Sequence, residues 1–164
     1  MNTIYQMSFE VDKVNNKINV KREFNSSVEH VWAAWTRPEL LDQWWAPKPY
    51  KARTKTMDFR VGGMWLYAMV GPDGQEIWCK ANYLAIEDQK SFSGRDAFCD
   101  EHGVATDDFP GSTWNTSFKP LGEATLVEIE IDYKNLSDLE KIIQMGFKEG
   151  FTAALGNLDE LLNA

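Results

Sequence analysis

Residues 126–162 read LVEIEIDYKNLSDLEKIIQMGFKEGFTAALGNLDELL, and the fold turns on the change of period inside them. Val127, Ile129, Ile131 and Tyr133 alternate with Glu128, Glu130 and Asp132, which is the spacing of a strand with one dry and one wet face. Beyond Ser137 the apolar residues recur every three or four positions: Leu139, Ile142, Ile143, Phe147, Phe151, Ala154, Leu155, Leu158, Leu161 and Leu162. That is the stripe of an amphipathic helix. Ser137 followed by Glu140 predicts a capping box, and the helix is expected to run about 25 residues, roughly 37 Å at about 1.5 Å per residue. A strand with one dry face needs cover, and the long terminal helix supplies it.

The same two periods organise the rest of the chain. Thr113 to Lys119 is expected to pair with Leu126 to Tyr133, returned by Pro120-Leu121-Gly122-Glu123, and Met64 to Val70 with Glu76 to Ile86 across Gly71-Pro72-Asp73-Gly74. Lys17 to Phe24 alternates as a first strand. Ser26 with Glu29 opens a short helix carrying Val28, Val31, Trp32 and Trp35. Thr36 with Glu39 opens a second, carrying Leu40, Leu41, Trp44 and Trp45 and stopped by Pro47 and Pro49. Gly62-Gly63 is read as a bend in the strand before Trp65. The expected architecture is one α+β domain over residues 1–164 with a helix-grip fold: a curved antiparallel sheet of six to seven strands wrapped on the C-terminal helix. A sheet that curls further than one helix can fill leaves room for a cavity, with the acid-rich loop Cys99 to Gly111 expected as a mobile segment at its mouth.

Charge narrows the partners. Against 17 Lys and Arg stand 25 Asp and Glu, a formal −8, so nucleic acid and anionic membranes are not expected partners. Met1 to Val14 mixes charges into the place where a leader needs an apolar run, and a cytoplasmic protein is expected, as a monomer or a homodimer. Cys79 and Cys99 have neither a CxxC nor a Cys/His cluster near them, and His30 falls off its helix's apolar stripe. Grouping His102 with Asp96, Asp100, Glu101, Asp107 and Asp108 matches neither an EF-hand loop nor an HExxH helix, so no metal is assigned. The sequence contains no GxSxG, P-loop or GxGxxG; no cofactor and no catalytic residue is assigned. Asp58 and Arg60 read as a local charge pair.

Seven Trp, five Tyr and nine Phe in so short a chain imply either a thick core or an aromatic-lined hollow. Trp65, Tyr67 and Met69 share one strand face, and Trp114, Thr116 and Phe118 share another, both aimed at the long helix. On that helix Gly146 and Gly150 stand four apart, each costing about 1 kcal/mol against Ala. Close approach of the sheet explains them, and so does space for a ligand. Met145 beside them is deformable, and Trp44 and Trp45 are either core or gate. With Phe151, these residues form the candidate ligand-binding set. Tyr67, Arg95 and Thr116 are the polar side chains that strand parity offers to such a pocket.

Four blocks carry a family resemblance: Val20 to Trp45 (VKREFNSSVEHVWAAWTRPELLDQWW), Asp58 to Trp65 (DFRVGGMW), Met69 to Gly74 (MVGPDG) and Gly150 to Leu162 (GFTAALGNLDELL). In this order they resemble the activator of heat-shock-protein-90 ATPase homologue-like family of the SRPBCC, or START and birch-pollen-allergen-like, superfamily. The resemblance covers roughly residues 17 to 163; where that family commonly has Gly-Trp, this chain has Gly150-Phe151. It implies a helix-grip domain with a hydrophobic cavity, in a superfamily that includes lipid binders, polyketide cyclases, a co-chaperone and bacterial stress or regulatory proteins. Three readings stay open: a binder of a small hydrophobic or aromatic ligand, a domain that docks on a heat-shock chaperone, and a cyclase, dehydratase or hydrolase-like enzyme using the same cavity.

Overall fold

The computed structural model describes residues 7–163; residues 1–6, which begin the Met1 to Val14 stretch, and residue 164 lie outside the described residues. Strands β1 (Met7–Asp12) and β2 (Lys17–Phe24) precede helices α1 (Val28–Thr36) and α2 (Pro38–Trp44). Six strands follow: β3 (Lys51–Met57), β4 (Met64–Val70), β5 (Glu76–Glu87), β6 (Ser91–Phe98), β7 (Ser112–Leu121) and β8 (Ala124–Asp132). Helices α3 (Leu136–Gln144) and α4 (Phe147–Leu162) end the chain. All strands join one antiparallel sheet in the order β1-β2-β8-β7-β6-β5-β4-β3. The helix-grip expectation holds, with eight strands rather than six or seven. The strands that alternation shows least are the sheet's two edges, β1 and β3, whose sequences MSFEVD and KARTKTM bury little. Lys51, Arg53 and Lys55 on β3 also discourage a further strand from adding there.

The pairing of β2 with β8 ties the start of the chain to its end: Ile18 faces Ile131 and Val20 faces Ile129, and all four are buried. Arg22 lies on the same inner face of β2 and pairs with Asp159 of α4, so the only charge that β2 turns inward meets an opposite one. At the other end of the helix layer Trp44 is 1% exposed and donates its Nε1–H to the Ala34 carbonyl at 2.8 Å, locking α2 against α1.

The helix starts shift from their expected caps. Ser27, not Ser26, caps α1 by accepting the His30 amide at 3.3 Å. Thr36 closes α1, its hydroxyl donating to the Trp32 carbonyl at 2.8 Å, and α2 starts with Pro38 in the first helical turn after Arg37, with no side-chain cap. Asn135 replaces Ser137 as the cap of α3, accepting the Asp138 amide at 2.8 Å. In each case a competing Ser, Asn or Pro within two residues fitted the local backbone better than the S/T-x-x-E pattern. The Gly62-Gly63 pair forms the turn between β3 and β4 rather than a bend within a strand.

The expected 25-residue helix is two helices, broken where Gly146 takes φ +90°. The apolar stripe crosses a one-residue left-handed break without losing its spacing, which is why periodicity alone reads it as continuous. Gly146 therefore does not occupy a helix interior, whereas Gly150 does. A Cβ at Gly150 would meet nothing closer than the Pro47 ring at 3.7 Å, an ordinary contact. Gly146→Ala is expected to destabilise the fold by about 1–2 kcal/mol, because an L-residue is strained at that φ. Gly150→Ala is expected to stabilise it by up to about 1 kcal/mol. Urea denaturation of both variants checks the pair; shifts of the same sign would show that the break is misplaced.

Candidate functional site

Between the inner face of the sheet and the α3–α4 break lies a cavity of about 290 Å³. The sheet side supplies Tyr67 and Met69 from β4, Cys79 from β5, Asp96 and Phe98 from β6, Ser112 and Trp114 from β7, and Tyr133 just beyond β8. The helices supply Ile142, Met145, Phe147, Gly150, Phe151 and Ala154, with Trp45 and Pro47 following α2. The volume sits at the lower end of small-molecule sites. Trp114 meets Phe151 edge-on at 5.5 Å, and Phe147 stacks on Phe151 at 5.3 Å, so these rings hold one another in place. The Cys99 to Gly111 loop reaches the cavity through Pro110 and is tied to α3 by Lys141, whose Nζ donates to the Asp108 carbonyl at 2.8 Å.

A second space of about 30 Å³, the size of a single water molecule, lies deeper, bounded by Trp35, Trp65, Tyr83, Gly94 and Thr116. It shares Trp45, Asp96 and Trp114 with the main cavity. Two atoms on the residues around it, Trp35 Nε1 and Thr116 Oγ1, are buried without a hydrogen-bond partner. A trough of about 370 Å³ on the outer face is larger, but much of its wall is solvated polar side chains, including Asn19, Lys21, Asn115 and Glu128.

Most polar groups of the cavity wall are engaged or held neutral. Trp45 donates Nε1–H to the Tyr67 hydroxyl at 2.8 Å, and Trp114 donates to Ser112 Oγ at 3.0 Å. Burial pushes Tyr67, Tyr83 and Tyr133 above the usual phenol range, with the nearby Asp96 charge adding to it. Burial likewise pushes the Cys79 thiol up to about 12, against a smaller opposing effect of the Tyr67 hydroxyl. Asp96 is different. Register places it between Ala81 and Ser112 on the inner face, and its remaining exposure is toward the cavity. Burial raises its carboxyl from 3.8 to about 8; only the Arg95 charge opposes this, and no hydrogen bond contributes.

Of the ten residues singled out from the sequence, Trp45, Tyr67, Met69, Trp114, Met145 and Phe151 border the main cavity. Trp65 and Thr116 border the small chamber instead. Trp44 and Phe118 border neither. Trp44 is turned under α1, and Phe118, further along β7, packs edge-on against Trp32 at 5.1 Å and Trp35 at 6.1 Å. Arg95 faces outward, donating to Thr113 Oγ1 at 3.2 Å, so the inward polar residue of β6 is its neighbour Asp96. Parity could have found it: Phe92 and Phe98 are apolar, and Asp96 is in phase with both. Tyr133, Ser112 and Cys79 were also passed over as wall residues. Asp58 and Arg60 form the expected exposed pair, Arg60 Nε donating to Asp58 Oδ2 at 2.6 Å.

A sequence model of the family described as "Activator of Hsp90 ATPase homolog 1-like protein" matches residues 25–163. The chain belongs to this family. Among solved structures, a protein from Arthrobacter aurescens is 30% identical, with a TM-score of 0.90 over 95% of this chain and 91% of that one. A protein from Mycobacterium smegmatis is 28% identical, with a TM-score of 0.88 and 97% of each chain covered. An AHSA1 protein from Silicibacter pomeroyi, at 21% identity and a TM-score of 0.71 over 90% of this chain and 97% of that one, shares the fold. No curated protein matches the chain. The AHSA1-like chain thus has an SRPBCC-type fold, a fold generally associated with ligand binding. Among the described residues no helix is long and apolar enough to cross a membrane.

The raised Asp96 value has a consequence for this AHSA1-like protein's stability. Folding carries the carboxyl from 3.8 to about 8, so the folded state binds the proton more tightly. The stability associated with that proton is fully present below about pH 4 and is lost as pH rises through about 8. Asp96→Asn removes the dependence. The variant is expected to exceed the wild type at pH 8.5 by up to a few kcal/mol, with the gap narrowing toward pH 5. Thermal melts at the two pH values measure this; a gap that does not change with pH would mean the carboxyl stays solvated.

Proposed function

We propose that this protein binds a small hydrophobic or aromatic molecule in the cavity between its sheet and the α3–α4 break. The observation that supports this is the cavity of about 290 Å³ walled by Trp45, Trp114, Phe147 and Phe151. A packed core would close such a space, because each void forfeits contacts on its lining. Here the rings brace one another around the space instead of filling it. Burying about 250 Å² of apolar ligand area contributes roughly 6 kcal/mol before the loss of translational freedom, which caps the expected affinity at roughly tens of micromolar and moves it toward the millimolar range once that loss is counted.

Titration with the neutral fluorescent probe N-phenyl-1-naphthylamine is expected to give saturable one-to-one binding with quenching of native Trp fluorescence. Gly150→Leu places a side chain into the cavity from α4, since Gly150 is part of its wall. It is expected to weaken the probe at least tenfold while the melting temperature stays within a few degrees of the wild type. Absence of saturable binding, or an unchanged affinity in Gly150→Leu, would sink the reading.

A further inference from the structure

We propose that the ligand of this cavity is a hydrophobic amine, its ammonium held by the Asp96 carboxylate and its apolar body by the rings of Trp45, Trp114 and Phe151. This deepens the cavity reading and rests on it. Asp96 stands where the main cavity and the small chamber meet. The basic group whose charge acts on Asp96, Arg95, is on the opposite face of β6 and engaged with Thr113. The Tyr67 and Ser112 hydroxyls already receive the two indole N–H groups. Among the described residues, Asp96 is the one carboxyl that borders the cavity. An asparagine there would donate and accept hydrogen bonds without any ionisation penalty; what a carboxyl adds is a negative charge. In a ring-walled space an ammonium arriving with the ligand stabilises that charge.

The surroundings agree with a cation. Aromatic faces carry negative potential and attract ammonium groups. The chain's net charge of −8 concentrates cations near it and disfavours anions.

Binding moves one proton and makes no covalent bond. The amine arrives as ammonium; Asp96, protonated in the free protein below about pH 8, releases its proton to solvent as the pair forms. The titratable groups that face it are Tyr67 on β4, Cys79 and Tyr83 on β5 and Tyr133 beyond β8, all kept neutral by burial. From α3 and α4 the cavity receives Ile142, Met145, Phe147 and Phe151, none of which ionises. Lys80 also borders the cavity but is not among the groups that shift Asp96. Amine affinity should therefore rise toward pH 8 by up to about tenfold per unit.

The test is calorimetry on the full chain with 2-(1-naphthyl)ethylamine and its neutral isostere 2-(1-naphthyl)ethanol at pH 6 and pH 8, repeated with Asp96→Asn. The amine is expected to bind at least tenfold tighter than the alcohol at pH 8, about 1.4 kcal/mol. Its heat at pH 6 should vary with the buffer's ionisation enthalpy as one proton is released, and in Asp96→Asn the two ligands should come within about twofold. Equal binding of alcohol and amine at pH 8 overturns the amine assignment and leaves the cavity reading standing. An amine preference that survives in Asp96→Asn overturns the role given to Asp96. Binding of neither ligand overturns both.

Discussion

The Trp45 indole packs against Trp35, Trp44, Trp65, Trp114 and Phe151 with ring centroids 5.3–6.1 Å away, and its Nε1–H reaches the Tyr67 hydroxyl. One side chain thereby touches α1, α2, β4, β7 and α4. Each such edge-on contact contributes about 0.5–1.5 kcal/mol beyond area burial, so Trp45 joins the two short helices to the sheet and to the terminal helix more firmly than any surface ion pair could. It also borders both the main cavity and the inner chamber. The residue that consolidates the core is the one that bounds the hollow.

Arg22 and Asp96 both lie on the inner face of the sheet, and they differ in what they meet there. Arg22 on β2 is matched by Asp159 on α4 and covered by the Phe24 ring 4.8 Å away, so it ties sheet to helix. Asp96 on β6 has no such partner and faces open space. A half-buried carboxyl pushed above its usual range beside a cavity is the kind of group that binding and catalytic sites contain.

How much of this was legible in the sequence follows from the physics of each feature. Central strands read clearly because one face is dry along their whole length, as in β8, where Val127, Ile129 and Ile131 are all buried. The edge strand β3 did not, because only Ala52 in it is buried. Which aromatics face the cavity, and which pack beneath it, depends on where along the strand the helix layer departs from the sheet. Trp114 and Phe118 share a face of β7, but only Trp114 lies beyond α1, toward the helix break. Parity gives the face and leaves the depth open, so Phe118 could not be told from Trp114. Asp96 is a different case: it is in phase with Phe92 and Phe98, so the face it shares with them follows from alternation once β6 is known to be a strand, whereas Arg95 falls on the other face.

The break at Gly146 accounts for the cavity's position. A straight helix laid across a curved sheet touches it along one line and departs from it at both ends. Here that helix is split in two, and the cavity lies at the joint, where Met145, Gly146 and Phe147 all border it. The joint also puts backbone where a continuous helix would place a branched side chain, and Gly150 one turn later leaves the same wall thin. Restoring a bulky residue at either glycine would encroach on the space from the helix side. The two glycines, four apart in a stripe of large apolar residues, thus act by different means, one through backbone conformation and the other through missing volume, on a single wall.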